Sequence, residues 1–128
     1  MKLQIIGLII YSISVFSCKE QSEVYELAKQ SDKIQVVFYD NPSSYIDITK
    51  RSERTKFSKY ISEEQTPYLK CDYAGAIIFF TEYGSVKMDF NLSDDCQHVI
   101  YSFGGEVETR KLTEEGLAHL KDLQSKLN

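Results

Sequence analysis

Residues 76 to 92 constrain the fold more than any other stretch of the chain. Ala76-Ile77-Ile78-Phe79-Phe80 is apolar on both faces, which suits a strand in the middle of a sheet. Glu82-Tyr83-Gly84-Ser85 follows as a tight turn, with Gly84 where a positive φ is needed. Val86, Met88, Phe90 and Leu92 then alternate with Lys87, Asp89 and Asn91, the pattern of a half-buried strand. Two such runs joined by a short turn pair antiparallel. A chain organised on that hairpin is a sheet protein with one face against a core.

The flanking segments extend the sheet. Ile34-Gln35-Val36-Val37-Phe38-Tyr39, opened by Lys33, is rich in β-branched and aromatic residues and reads as a strand. Asp40-Asn41-Pro42-Ser43-Ser44 is turn chemistry, and Tyr45 to Thr49 returns as the second strand of a hairpin. A helix is predicted from an N-cap at Ser52, with Glu53 at the positive dipole end and Phe57, Tyr60 and Ile61 on one apolar stripe. Glu63 to Pro67 ends it, since Pro67 biases Thr66 away from helical geometry. Tyr68 to Tyr73 reads as a strand leading into the 76–80 run. Val99, Tyr101 and Phe103 mark another, Gly104-Gly105 a hairpin turn, and the polar run Glu106 to Lys111 an edge strand.

The last helix has a well-marked start. Thr113 is its N-cap, Glu114 and Glu115 fill its first turn, and Leu112 and Leu117 have the spacing of a hydrophobic staple. Leu117, Leu120, Leu123 and Leu127 form its inward stripe, which turns His119 away from the sheet and into solvent. The order is β-β-α-β-β-β-β-α. This is an α+β fold, an antiparallel sheet of about six strands with two helices packed on one face. Residues 19 to about 31, with Val24, Leu27 and Ala28 at helical spacing, are a tether or a short amphipathic helix.

Charge and motifs exclude several function classes. Fifteen Lys+Arg stand against 19 Asp+Glu, a net charge of −4, opposite in sign to the usual nucleic-acid binder. Six Gly and 2 Pro exclude a collagen-like or low-complexity chain. No G-x-x-x-x-G-K, G-x-G-x-x-G or G-x-S-x-G motif is present. Asp89, Asn91, Ser93 and Asp95 alternate like the start of a calcium loop. However, Asp94 stands where that loop needs Gly, and Ile100 where it needs a bidentate Glu. The adjacent carboxylates Glu63/Glu64, Asp94/Asp95 and Glu114/Glu115 fit turns and a helix start.

The N-terminus carries the address. Lys2 is followed by a mostly apolar run from Leu3 to Phe16, then Ser17 and Cys18, then the polar residues Lys19 to Glu23. The run is too short for a spanning helix and fits the apolar region of a signal peptide. Val15-Phe16-Ser17-Cys18 resembles a bacterial lipobox, with an aliphatic residue at −3, a small one at −1 and the Cys at +1. The resemblance is to bacterial lipoproteins with a type II signal peptide. It implies that residues 1–17 are removed and that Cys18 is lipidated and becomes the mature N-terminus. The protein is then held to a membrane of the cell envelope. Residues 18–32 then form the lipidated Cys and a tether or short helix, and 33–128 a single α+β domain. Cys18-Lys19-Glu20 also resembles the start of a surface-export motif.

The same resemblance accounts for the odd cysteine count. With Cys18 acylated, Cys71 and Cys96 remain as a pair, and an exported chain meets oxidising conditions, so a disulfide is expected. In the chain-entropy model such a bridge contributes about 3–4 kcal/mol. Two buried free thiols on neighbouring strands are the alternative. Cys96 and His98 share a strand face at i and i+2, so a Cys₂His₂ zinc site with Cys71 and His119 is conceivable, as is a Cys–His nucleophile pair. Paired zinc-ligand spacings are missing, and oxidation would consume the nucleophile. No catalytic residue, metal or cofactor is assigned.

Function is expected to be binding. Nine Tyr are present, and Tyr39, Tyr45, Tyr68, Tyr73 and Tyr83 fall near turns, where they serve an interface or cap sheet edges. Lys50, Arg51, Arg54, Lys56 and Lys59 form a basic stretch that is a solvated helix face or a contact for an anionic surface. The leading reading is a non-enzymatic envelope module that binds a protein partner. The alternative is an accessory lipoprotein that binds a small ligand or carbohydrate on the open sheet face.

Overall fold

The 76–92 hairpin lies at the centre of the sheet. A computed structural model describes residues 23–67 and 70–127. Its elements are α1 (Glu23–Gln30), β1 (Ser31–Phe38), β2 (Ile46–Ile48), α2 (Arg51–Thr55), a 3-10 turn (Lys56–Lys59), β3 (Ile61–Gln65), β4 (Gly75–Thr81), β5 (Gly84–Phe90), β6 (His98–Phe103), β7 (Glu106–Leu112) and α3 (Glu114–Leu127). The seven strands form one sheet in the order β2-β1-β4-β5-β6-β7-β3. Every neighbouring pair is antiparallel. The class is α+β, with one strand and one helix more than the sequence pattern counts.

Register divides the side chains between two faces. Ile34, Phe79 and Val86 lie in one cross-strand row, Val36, Ile77 and Met88 in the next, and Phe38, Gly75, Phe90 and Val99 in a third. The helices cover this face. Val24, Leu27 and Ala28 of α1, Phe57 of the 3-10 turn, and Leu120 and Leu123 of α3 close the core over it. Phe57 meets Phe79 edge-on at 6.3 Å, and Phe38 meets Phe90 at 5.5 Å. Each such buried ring contributes about 1.5–3 kcal/mol relative to exposure. Of the two readings of residues 19 to 31, Glu23–Gln30 takes the helical one.

The segment after β2 departs from its pattern. The helix breaks off at Thr55, the chain tightens through Lys56–Lys59, and Ile61–Gln65 is strand β3 at the sheet edge. Phe57, Tyr60 and Ile61 are all buried as their spacing requires. That spacing is equally served by a tight turn running into a β-branched residue. The N-cap is Lys50, with no side-chain cap, rather than Ser52. The Thr55 hydroxyl donates to Arg51 O at 3.0 Å and the Ser58 hydroxyl to Thr55 O at 2.8 Å, local bonds that compete with a continuous helix. Residues 70–74 form no strand, although Tyr68 to Tyr73 has a strand-like composition.

β7 is interior, not an edge, because β3 pairs on its outer side. Its partly buried charges, Glu108 and Arg110, are paired in place. Arg110 pairs with Glu108 at 2.6 Å and with Glu23 of α1 at 3.7 Å. Tyr101, buried beside these groups, has its hydroxyl pKa pushed up to about 12, chiefly by loss of solvent. The β6–β7 turn uses Gly104 and Gly105 at φ 63° and 85°, the two positive values that a tight two-residue hairpin demands.

α3 starts as its sequence dictates, with Gly116 N donating to the Thr113 hydroxyl at 3.0 Å. Its buried face, however, is centred between Leu120 and Leu123 rather than on Leu117, which is only partly buried. Gly116 causes this rotation. It is buried against the backbone of Tyr60, and a Cβ there would lie 2.2 Å from Tyr60 O.

Candidate functional site

The face opposite the helices is the main candidate surface. Alternation places Lys33, Gln35 and Val37 of β1 there, with Ala76, Ile78 and Phe80 of β4, and Ser85, Lys87 and Asp89 of β5 in register beside them. β6 and β7 add Ile100 and Thr109, then Ser102 and Val107. None of the three described helices packs on it. Val37, Ile78, Phe80 and Ile100 are half-buried, and Val107 is 68% exposed. These residues form two apolar patches, Val37, Ile78 and Phe80 on β1 and β4 and Ile100 and Val107 on β6 and β7, separated by Ser85, Lys87 and Asp89 of the central strand β5.

The polar groups between and beside the patches are held in a fixed arrangement. The Tyr39 hydroxyl donates to the Asp89 carboxylate, and Lys87 Nζ lies 3.8 Å from the same oxygen. Lys87 also stands over the Tyr39 ring at 5.7 Å, and Lys33 over the Phe80 ring at 4.7 Å. Burial and then the Asp89 hydrogen bond raise the Tyr39 pKa, and Tyr39 and Asp89 raise that of Lys87. Both groups therefore keep their protons at neutral pH: a cation, a phenol and a carboxylate held together beside apolar side chains. Lys33, Lys87 and Lys111 stand on this face against Asp89 and Asp47, the latter opposite Gln35 and hydrogen-bonded to it, so the surface is more basic than the chain as a whole, whose net charge is −4.

A second cluster lies at the end of β6. Cys71 and Cys96 stand at disulfide distance, with Cα atoms 6.5 Å apart, inside the span a bridge allows. His98 is fully buried beside them. Its Nδ1 is 2.9 Å from Cys96 O, and its Nε2 is 3.3 Å from the Tyr73 hydroxyl. A carbonyl only accepts, so Nδ1 carries a proton, while Nε2 faces the Tyr73 hydroxyl. Among the described residues, Cys71, Cys96 and His98 are the group of metal-capable side chains that converge.

No known protein family, curated protein or solved structure matches the chain. Its chemistry is therefore read from its own residues. His119 is absent from the cysteine cluster and, contrary to its helical phase about Leu117, is not in solvent. It is half-buried, stacked on Tyr60 at 4.6 Å and edge-on to Phe57 at 6.0 Å. The rotation of α3 about Gly116 brings it there, and burial lowers its pKa. A cleft of about 330 Å³ beside it is lined by Tyr60, His119, Asp47, Glu53 and Lys56. A cleft of about 510 Å³ lies between α1 and the β4–β5 turn, with Leu27, Val86 and Phe103 as its apolar wall and Glu23 and Glu26 at its rim.

The remaining sequence candidates are dispersed. Lys50, Arg51, Lys56 and Lys59 are exposed, and Arg54 turns back to bond Thr49 O. Asn91 of the calcium-like run is buried and bonded to Asp72 and Ser93. Tyr39, Tyr45 and Tyr83 are exposed, and Tyr73 packs on His98. Cys18 and Tyr68 lie outside the described residues, and no described helix is long and apolar enough to cross a membrane. The Lys33–Phe80 and Lys87–Tyr39–Asp89 contacts were not visible in the sequence. The polar positions of alternating strands signal such a face, but only register shows which of them meet.

Proposed function

We propose that the chain is a small lipid-anchored lipoprotein of the cell envelope whose folded domain binds a protein partner and catalyses no reaction. The observation that carries this reading is the sheet face on which no described helix packs, where apolar patches of Val37, Ile78 and Phe80 and of Ile100 and Val107 flank the β5 row that carries Lys87, with Lys33 and Lys111 on the same face. Exposed apolar area rimmed by polar groups marks an interaction site. Its charge commits the partner to a surface with apolar side chains among carboxylates. The lipobox-like Val15-Phe16-Ser17-Cys18 supports the anchor. The Cys71–Cys96 pair supports export, since a bridge persists in an oxidising compartment.

Two measurements test the parts separately. Cys18→Ala releases the protein from the membrane fraction and abolishes incorporation of labelled fatty acid, and unchanged fractionation contradicts the anchor. Lys33→Glu with Lys87→Glu, in a protein of unchanged thermal midpoint, abolishes capture of whatever envelope protein the wild-type domain retains. Retention equal to wild type contradicts the sheet-face site. A second reading, a small polar ligand such as a sugar, has the open sheet face as its expected site, and the cleft beside the Tyr60–His119 stack, with Glu53 in its wall, supports a ligand there instead.

A further inference from the structure

We propose that the Cys71–Cys96 pair, once reduced, forms with His98 a three-ligand site for a thiophilic cation, with zinc as the fitting ion. One atom from each of the three side chains, the two sulfurs and a ring nitrogen of His98, lies within 4.8 Å of the others. Two thiolates on a tetrahedral zinc sit roughly 3.7 Å apart, as Zn–S bonds of about 2.3 Å require. Opening the bond thus needs side-chain rotation rather than backbone rearrangement.

The surroundings hold the three ligands in place without the bridge. The amide of Asn91, a buried residue, donates to Asp72 O beside Cys71. Its Oδ1 accepts Ser93 N at 2.8 Å and the Ser93 hydroxyl at 2.7 Å. Ser93 O in turn accepts Cys96 N at 3.1 Å and Gln97 N at 3.2 Å. One side chain therefore ties together the two segments that carry the cysteines. Gln97, at φ 27° in the region that favours glycine, turns the chain between Cys96 and His98. It is pinned there by Leu112 N donating to Gln97 O at 2.9 Å.

His98 is already oriented by a backbone contact. Its Nδ1–H is directed at Cys96 O, the backbone contact that usually orients a metal-bound imidazole, which leaves Nε2 as the nitrogen for the cation. The Tyr73 hydroxyl meets Nε2 at 3.3 Å, a contact that the cation would replace.

The chemistry balances. A dithiol reductant gives two electrons to the Cys71–Cys96 bond and leaves as its own disulfide, and the two cysteines emerge as thiols. Zinc then displaces both thiol protons to solvent, forms two Zn–S bonds and one Zn–N bond, and keeps water in the fourth position. The two thiolates neutralise the ion.

The test is independent of the anchor, because it uses the full chain carrying Cys18→Ala. The protein is reduced with dithiothreitol, freed of reductant under anaerobic conditions, and titrated with Co(II) and then Zn(II). One equivalent of Co(II) should give a thiolate-to-metal band in the near ultraviolet, absent from the oxidised protein and abolished by Zn(II). Zinc should move the ¹⁵N resonance of His98 Nε2 and leave Nδ1 protonated. His98→Gln should weaken binding at least about tenfold. The proposal is overturned by absence of the band, by an unmoved Nε2 resonance, by equal binding in the oxidised protein, or by undiminished binding in His98→Gln. Loss of the near-ultraviolet circular dichroism on reduction, before any metal is added, overturns it as well.

Discussion

Gly116 decides how the last helix sits. Because a Cβ there would overlap Tyr60 O, Gly116→Ala sets a gain of about 1 kcal/mol in helix propensity against an overlap with backbone that cannot move aside. Gly116→Ala is expected to lower stability by about 1–3 kcal/mol in denaturant titration, and a stabilised variant would show that α3 can shift. His119 follows from the same contact. Burial lowers its pKa below the unfolded value of about 6.5, so the folded state resists protonation. Its contribution to stability is present above pH ~6.5 and is lost as pH falls through that value towards the folded pKa. The wild-type stability curve should therefore fall more steeply between pH 7 and 5 than that of His119→Gln. Parallel curves would place the ring in solvent.

At the scale of elements, strong periodicity was legible and weak competition was not. The 76–92 hairpin, the 34–49 hairpin, the Gly104-Gly105 turn and the Thr113 cap all formed, because each combines a hydrophobic pattern with matching turn or cap chemistry. The segment 52–65 did not follow its pattern. Its three apolar residues fit a helix and a turn-plus-strand equally, and the decision came from β7, whose outer edge β3 completes. That long-range pairing has no local signal. The cysteine segments show the opposite balance, a bridge inferred by counting and a supporting Asn91 network that no count reveals. Replacing Cys71 and Cys96 together by Ser should cost about 3–4 kcal/mol and leave a folded protein. A chain without cooperative unfolding after that change would mean the bridge, not the network, holds the segments together.

For the whole molecule, sequence legibility ended at the choice of faces. Composition and strand patterning implied an α+β sheet with helices on one side, and the three described helices all lie there. Which side chains meet on the other side depended on register, and register assembles Lys33, Phe80, Lys87 and Asp89 from three strands, with Tyr39 just past the end of β1. That face is where a partner is expected to dock. A photo-crosslinking residue placed singly at 85, at 87 and, as a control on the exposed side of α3, at 121, tests this in intact cells producing the protein at its natural level. A discrete protein adduct from positions 85 and 87, absent from 121 and abolished by Lys33→Glu, is the predicted result. Adducts of equal yield at 121, or none at 85 and 87, would contradict a docking function for the open sheet face.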